Sequence, residues 1–190
     1  MRNKKITEMA FMSMFIAIEI VLVLTPLGYL PLGAINLTTM HIPVVVAGVI
    51  MGRKAGAKVG FVFGLTSLLN ATFRPTITSF CFSPFITIGG VSGNFSSILI
   101  AFIPRILLGY LAGLLYVFLT SKNVNGNFAA TLAGVCGAVV NTVLVLSMIY
   151  IFFGPQYAAA TGNEYAALIA ILVVALVSFN PERFNPIPKR

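Results

Sequence analysis

Charge is what this chain has least of. Asp, Glu, Lys and Arg together make up 8% of its 190 residues, against roughly 25% in a soluble domain. So few charges cannot coat a water-exposed surface. With 58% hydrophobic residues and a mean hydropathy of +1.00, the solvent that fits is lipid. Only four acids are present, which leaves little capacity for general acid–base chemistry. The single histidine, His41, excludes a multi-histidine metal centre. Cys81 and Cys136 are too few and too separated for a disulfide framework or a metal site. There is no nucleophile elbow, no H-E-x-x-H and no acid pair at helical spacing. The expectation is a non-enzyme that needs no cofactor.

What is present is apolar sequence in six segments, at about 8–25, 38–52, 55–70, 96–120, 128–153 and 163–179. Breaks rich in turn residues separate them, among them "TPLGYLPLGAIN", "GRKAG", "SKNVNGN" and "FGPQYAAATGN". The predicted fold is all-α and membrane-integral: a six-transmembrane-helix bundle forming one domain over 1–190. Segments four and five can span about 30 Å, whereas two, three and six are short, either tilted members or partial spans. The first segment has a basic start but no small-x-small cleavage site, so it is expected to be a retained span.

The +8 net charge is a topology signal. With a cytoplasmic N-terminus, the inner side holds Arg2, Lys4, Lys5, Arg53, Lys54, Lys58, Lys122, Arg183, Lys189 and Arg190, ten of the twelve bases. Only Arg74 lies in an outer loop. This asymmetry predicts that both termini are cytoplasmic. No soluble basic face with interleaved aromatics is present for nucleic acid.

The outer connections are long. The stretch from Asn70 to Asn94 mixes Phe73, Phe80, Phe82 and Phe85 with Asn70, Thr72, Arg74, Thr76, Thr78, Ser79 and Ser83. Such a mixture suits a small polar ligand held by aromatic walls, or equally an interfacial aromatic belt. Arg105, in "AFIPRILLGYLAGLL", lies inside a membrane segment, where a base is a functional-site hypothesis by default. Two roles are open to it: an ion pair with Glu19 or Glu164, or capture of an anionic ligand by its guanidinium fork. Asn141 interrupts the fifth segment ("GAVVNTVLVL") and needs partners there, on another helix or on a ligand.

Glycine recurs at Gly48, Gly52, Gly56, Gly60 and Gly64. The spacing is not that of a P-loop. It predicts two short helices joined by a tight inner turn, with smooth stripes that let the hairpin's backbones approach. His41 and Thr39, at its outer end, are expected near the cavity. In segment one, Ala10, Ser13, Met14 and Ala17 place small and adaptable residues one turn apart, a candidate docking face for a membrane partner or plain lipid-facing surface.

The stretch "TTMHIPVVVAGVIMGRKAGAKVGFVFGLTSLLNATFRPTITSFCFSPF", then "PRILLGYLAGLLY", then "GAVVNTVLVL", resembles the substrate-binding S component of energy-coupling-factor (ECF) vitamin transporters over about residues 8–165. The resemblance is greatest, through "NATFRPTITSFCFSPF" and Arg105, to the pantothenate-specific members. It implies a bacterial cell-membrane protein that captures a vitamin from outside. It also implies association with a transmembrane coupling subunit and two ATPase subunits, and toppling in the membrane to release the ligand inward. The family's alanine-x-x-x-alanine docking motif is imperfect here, since Met14 follows Ala10 and Ala17 follows Ser13. Arg105 would then pair with a carboxylate. Asn141, Asn70, Ser79 and Thr78 would hydrogen-bond the ligand, with His41 beside the cavity, Phe80, Phe82 and Phe85 would form wall and lid, and Arg74 would steer the anion or cap the loop. The alternatives are an S component for hydroxymethylpyrimidine or pyridoxine, folate or riboflavin, or a stand-alone small channel or enzyme. Riboflavin is disfavoured by the absence of tryptophan.

Overall fold

The computed structural model describes residues 2–25, 27–32 and 35–161. Five α-helices carry the fold among them: α1 (Arg2–Leu24), α2 (His41–Met51), α3 (Arg53–Phe73), α4 (Phe95–Ser121) and α5 (Gly126–Thr161). Two small antiparallel hairpins sit in the connections. β1 (Tyr29–Leu32) pairs with β2 (Ile35–Thr38), and β3 (Thr87–Ile88) with β4 (Val91–Ser92). The sixth apolar segment and the tail with Arg183, Lys189 and Arg190 lie outside the described residues.

Three helices are long and apolar enough to cross a membrane: Lys5–Leu24, Phe95–Ser121 and Gly126–Tyr157. Their outer faces are apolar, with Ile18, Val21, Val117, Phe118 and Ile151 exposed. That is the inverse of a soluble surface. α2, with 11 residues, reaches only about 17 Å at 1.5 Å per residue. The expected segment 38–52 is therefore shorter as a helix, because Thr38 closes the β1–β2 hairpin. At the other end of the chain the helix runs past the expected break at "FGPQYAAATGN". α5 continues to Thr161, kinked at Phe153 (φ −134°, ψ 17°), where Pro155 lacks the N–H and crowds the preceding turn.

The glycine ladder packs differently from the simple hairpin expected of it. Gly52 alone (φ 90°) links α2 to α3, an angle that costs glycine little. The stripe on either side then lies mainly against α4, not only against its partner helix. A Cβ on Gly48 would meet the Gly109 carbonyl oxygen at 2.7 Å. One on Gly113 would meet Arg53 Cα at 2.7 Å, and one on Gly60 would strike the Arg105 carbonyl oxygen. α2, α3 and α4 thus touch backbone to backbone.

Two apolar clusters flank this seam. Phe15, Met40, Val44, Val59, Phe63 and Leu108 form one. Phe80, Ile100, Val145, Ile149 and Phe153 form the other, which seats the loop before α4 on the kinked helix. That loop is anchored by polar contacts as well. Thr72 and Ser83 hydroxyls bond at 2.7 Å. Asn94 caps α4, accepting from Ser96 N–H at 2.8 Å, while Ser97 Oγ accepts from Asn94 N–H at 3.1 Å. Ser97 Oγ also donates to the Phe80 carbonyl at 2.7 Å.

Candidate functional site

Pro104 sets up the site's central residue. Lacking an N–H, it leaves the carbonyl of Ile100, four residues earlier, without its helical partner. Arg105 Nη1 donates to that oxygen at 2.6 Å. The guanidinium is therefore held against its own helix. Two aromatic rings cover it, with Cζ lying 5.6 Å from the Phe63 ring centroid and 5.1 Å from that of Phe82. The side chain is 6% exposed, and its Nε has no hydrogen-bond partner among the described residues.

Phe63 continues the site toward α2. Its ring meets the His41 imidazole edge-on, centroids 5.3 Å apart. His41 Nδ1 lies 2.9 Å from Thr38 Oγ1 and 3.1 Å from Thr38 O. Its Nε2 accepts from Asn141 Nδ2 at 2.8 Å. Asn141 is buried, and its Oδ1 has no partner. The Tyr29 hydroxyl, also buried, lies near Thr66 and Ser67 and within electrostatic reach of Arg105 and Glu19. Burial is the main effect raising the Tyr29 phenol above its ordinary pKa of 10.0.

An ion pair between Arg105 and Glu19, one of the two roles open from sequence, is not formed. Among the described residues both buried Glu19 oxygens have no partner, and Arg105 spends its Nη1 on Ile100. Glu164 lies outside the described residues.

The structure brings Arg105, Asn141, His41 and Phe82 into one neighbourhood. Other residues named from sequence have different surroundings. Ser79 Oγ accepts from Thr76 N–H at 2.8 Å and closes a single turn of 3-10 helix, in which Thr78 and Ser79 are buried. Phe80 packs edge-on against Phe153, with centroids 5.6 Å apart. Asn70 is half-buried in the last turn of α3, one turn past Ser67. Arg74, at the exposed C-terminal end of α3, donates its N–H to Asn70 O at 2.8 Å. Phe85 is 76% exposed. On α1, Ala10, Ser13, Met14 and Ala17 are all exposed, turned away from the buried Phe15 and Glu19. Tyr29, Phe63, Thr66 and Ser67 escaped the sequence analysis. The Thr66–Ser67 pair inside an apolar segment carried the same polar-in-membrane signal as Asn141; Tyr29 is placed by a hairpin that no turn dipeptide announced.

Chemically, the cluster offers a guanidinium N–H, a carboxamide oxygen and a phenol, each buried and without a bond among the described residues, beside aromatic faces. Buried polar groups are normally paired. These are the atoms a small anionic, hydrogen-bonding molecule would satisfy.

Comparison with known proteins points the same way. The profile of the family described as ECF transporter, substrate-specific component, matches residues 7–182. The pantothenic acid transporter PanT of Lactococcus lactis subsp. cremoris (strain MG1363) is 40% identical over 173 residues, 90% of this chain and 86% of its own. The pantothenate transporter PanT of Leuconostoc mesenteroides subsp. mesenteroides is 32% identical over 187 residues, 95% of this chain and 85% of its own. Matched along nearly its whole length, and built of apolar helices around a buried arginine, this chain belongs to the substrate-specific components of ECF transporters, a transporter family rather than an enzyme family.

Proposed function

We propose that the chain is the pantothenate-binding subunit of an ECF-type importer. The observation that carries this is the match between ligand chemistry and the unpaired atoms of the site, joined to the two relatives named as pantothenate transporters. Pantothenate is a monoanion with a carboxylate at one end, an amide in the middle and two hydroxyls at the other. Arg105 Nε–H donates to the carboxylate, a charge-assisted bond. Asn141 Oδ1 accepts from the amide or a hydroxyl, with His41 holding the carboxamide in place. Tyr29 supplies a further donor. Phe63 and Phe82 keep water from the guanidinium, which strengthens the pairing. Asn70, Thr78, Ser79, Phe80, Phe85 and Arg74 belong on this proposal to the outer wall and entrance.

The remaining features follow the family. The chain is a single multi-pass domain with six spans in the bacterial cell membrane and both termini in the cytoplasm. It works with a transmembrane coupling subunit, which meets the exposed face of α1 at Ala10, Ser13, Met14 and Ala17, and with two ATPase subunits. Calorimetry on the purified chain tests the assignment. Pantothenate should bind more tightly than pyridoxine, hydroxymethylpyrimidine, folate or riboflavin. Binding of one of those with none of pantothenate overturns it.

A further inference from the structure

Glu19 is buried among the described residues, and the site as described does not use it. It lies on α1, one turn after Phe15, and so shares its face. Phe15 is 3% exposed and packs with Met40, Val44, Val59 and Phe63. Glu19 is 0% exposed, and both of its oxygens lack a partner. Tyr29 packs against the same cluster and lies within electrostatic reach of both Glu19 and Arg105. The described residues thus hold two groups with unbonded buried atoms, the Arg105 Nε–H and the Glu19 carboxyl oxygens, with one phenol in electrostatic reach of both. An uncompensated carboxyl group is costly to bury, and none of the described residues bonds it. A ligand can, if it brings an anion for Arg105 and hydrogen-bond donors for Glu19.

We infer that Glu19 forms the second end of the ligand site, its carboxyl group hydrogen-bonding the hydroxyls of a short monoanion whose carboxylate is held by Arg105. The inference rests on the function proposed above and adds a rule of selectivity. The site takes ligands that are anionic at one end and hydroxylated, uncharged, at the other. A second charged group at the hydroxyl end would have to be buried beside the Glu19 carboxyl group with no counter-charge, and is rejected.

The test compares two ligands on two proteins by calorimetry in detergent: pantothenate and the acyl-β-alanine of the same skeleton lacking both hydroxyls, on the native chain and on Glu19→Gln. The variant should bind pantothenate at least about tenfold more weakly, the scale of a lost hydrogen bond to a charged group. It should bind the dehydroxylated compound as well as the native chain does. Without ligand it should unfold at the same temperature or higher, because an unpaired buried carboxylate has been removed. Unchanged pantothenate affinity overturns the inference, as does an equal loss for both ligands or a lower unfolding temperature of the ligand-free variant. If the native chain fails to bind pantothenate, it is the proposed function that falls.

Discussion

Asn141 and His41 stand 100 residues apart in sequence, and the Asn141 carboxamide donates to His41 Nε2 across 2.8 Å. Nε2 is then an acceptor, so the proton sits on Nδ1 and is donated toward Thr38. One side chain of α5 thereby sets the tautomer at the head of α2. Asn141→Leu should lower stability by about 1–3 kcal/mol, because His41 is left with an unpaired nitrogen. The double variant Asn141→Leu/His41→Phe should recover most of that loss, since both partners are then apolar. Ligand affinity should stay reduced in both. Thermal unfolding in detergent beside calorimetry checks the pair; a double variant less stable than Asn141→Leu contradicts the account.

Pro104 and Arg105 should prove coupled. In Pro104→Ala the new N–H competes for the Ile100 carbonyl that Arg105 Nη1 occupies at 2.6 Å. The helix should gain stability, as an internal proline is unfavourable by roughly 3 kcal/mol, while pantothenate affinity drops several-fold as the guanidinium loses its anchor. Arg105→Lys, which cannot present the fork, should cost more than about tenfold. Equal affinity in all three proteins would remove Arg105 from ligand binding.

Gly60 is placed directly behind that arginine. Gly60→Ala drives a methyl into the Arg105 carbonyl and Ile106 Cα, the latter at 3.1 Å. It should destabilise by about 1–3 kcal/mol and weaken binding with it. Gly134→Ala is the control, its Cβ meeting only Val45 Cγ1 at 3.4 Å. There the helix propensity of alanine should leave stability unchanged or raised by up to about 1 kcal/mol.

The thiol of Cys81, buried in the loop before α4, is pushed from 9.0 up to about 12 by burial. Four units below that value, at about pH 8, its thiolate fraction is on the order of one in ten thousand, against about one in ten for a thiol at 9.0. In a Cys136→Ser background, alkylation of the folded protein should be about a thousandfold slower than after denaturation. It should rise tenfold per pH unit. Rapid labelling of native protein would show that this loop opens.

The exposed α1 face gives a separate measurement. Ala17→Trp places bulk on the side opposite Phe15 and Glu19. Pantothenate affinity should be unchanged, and co-purification with the coupling subunit and ATPases should be lost. Loss of vitamin binding instead would place Ala17 in the fold.

Arg105 and Asn141 were legible from sequence because hydrocarbon gives a polar side chain no reason of its own to be there. The apolar segments were legible for the converse reason. Their ends were less so. Thr38 looks like the start of an apolar segment but pairs with Tyr29 in a hairpin, and Pro155 looks like a terminator but only kinks α5. Composition of the loop before α4 marked a region, not roles. Ser79 and Phe80 there spend their contacts on closing a turn and seating the loop. Glu19 was visible only as a counter-charge for Arg105. That its oxygens meet no partner is a property of the fold, which sequence spacing cannot supply.

Where helices meet through interlocking side chains, rotamer changes let one slide past another. At Gly48, Gly56, Gly60, Gly109 and Gly113 the backbones of α2, α3 and α4 meet directly, so at these points the junction has no such slack. The three helices behave as one stiff plate carrying His41, Phe63 and Arg105 at set positions. Compliance is left to the pieces around it: α1 with Glu19, the hairpin with Tyr29, and the loop with Phe82. A molecule entering or leaving the site has to be admitted by those peripheral parts yielding, while the plate keeps its shape.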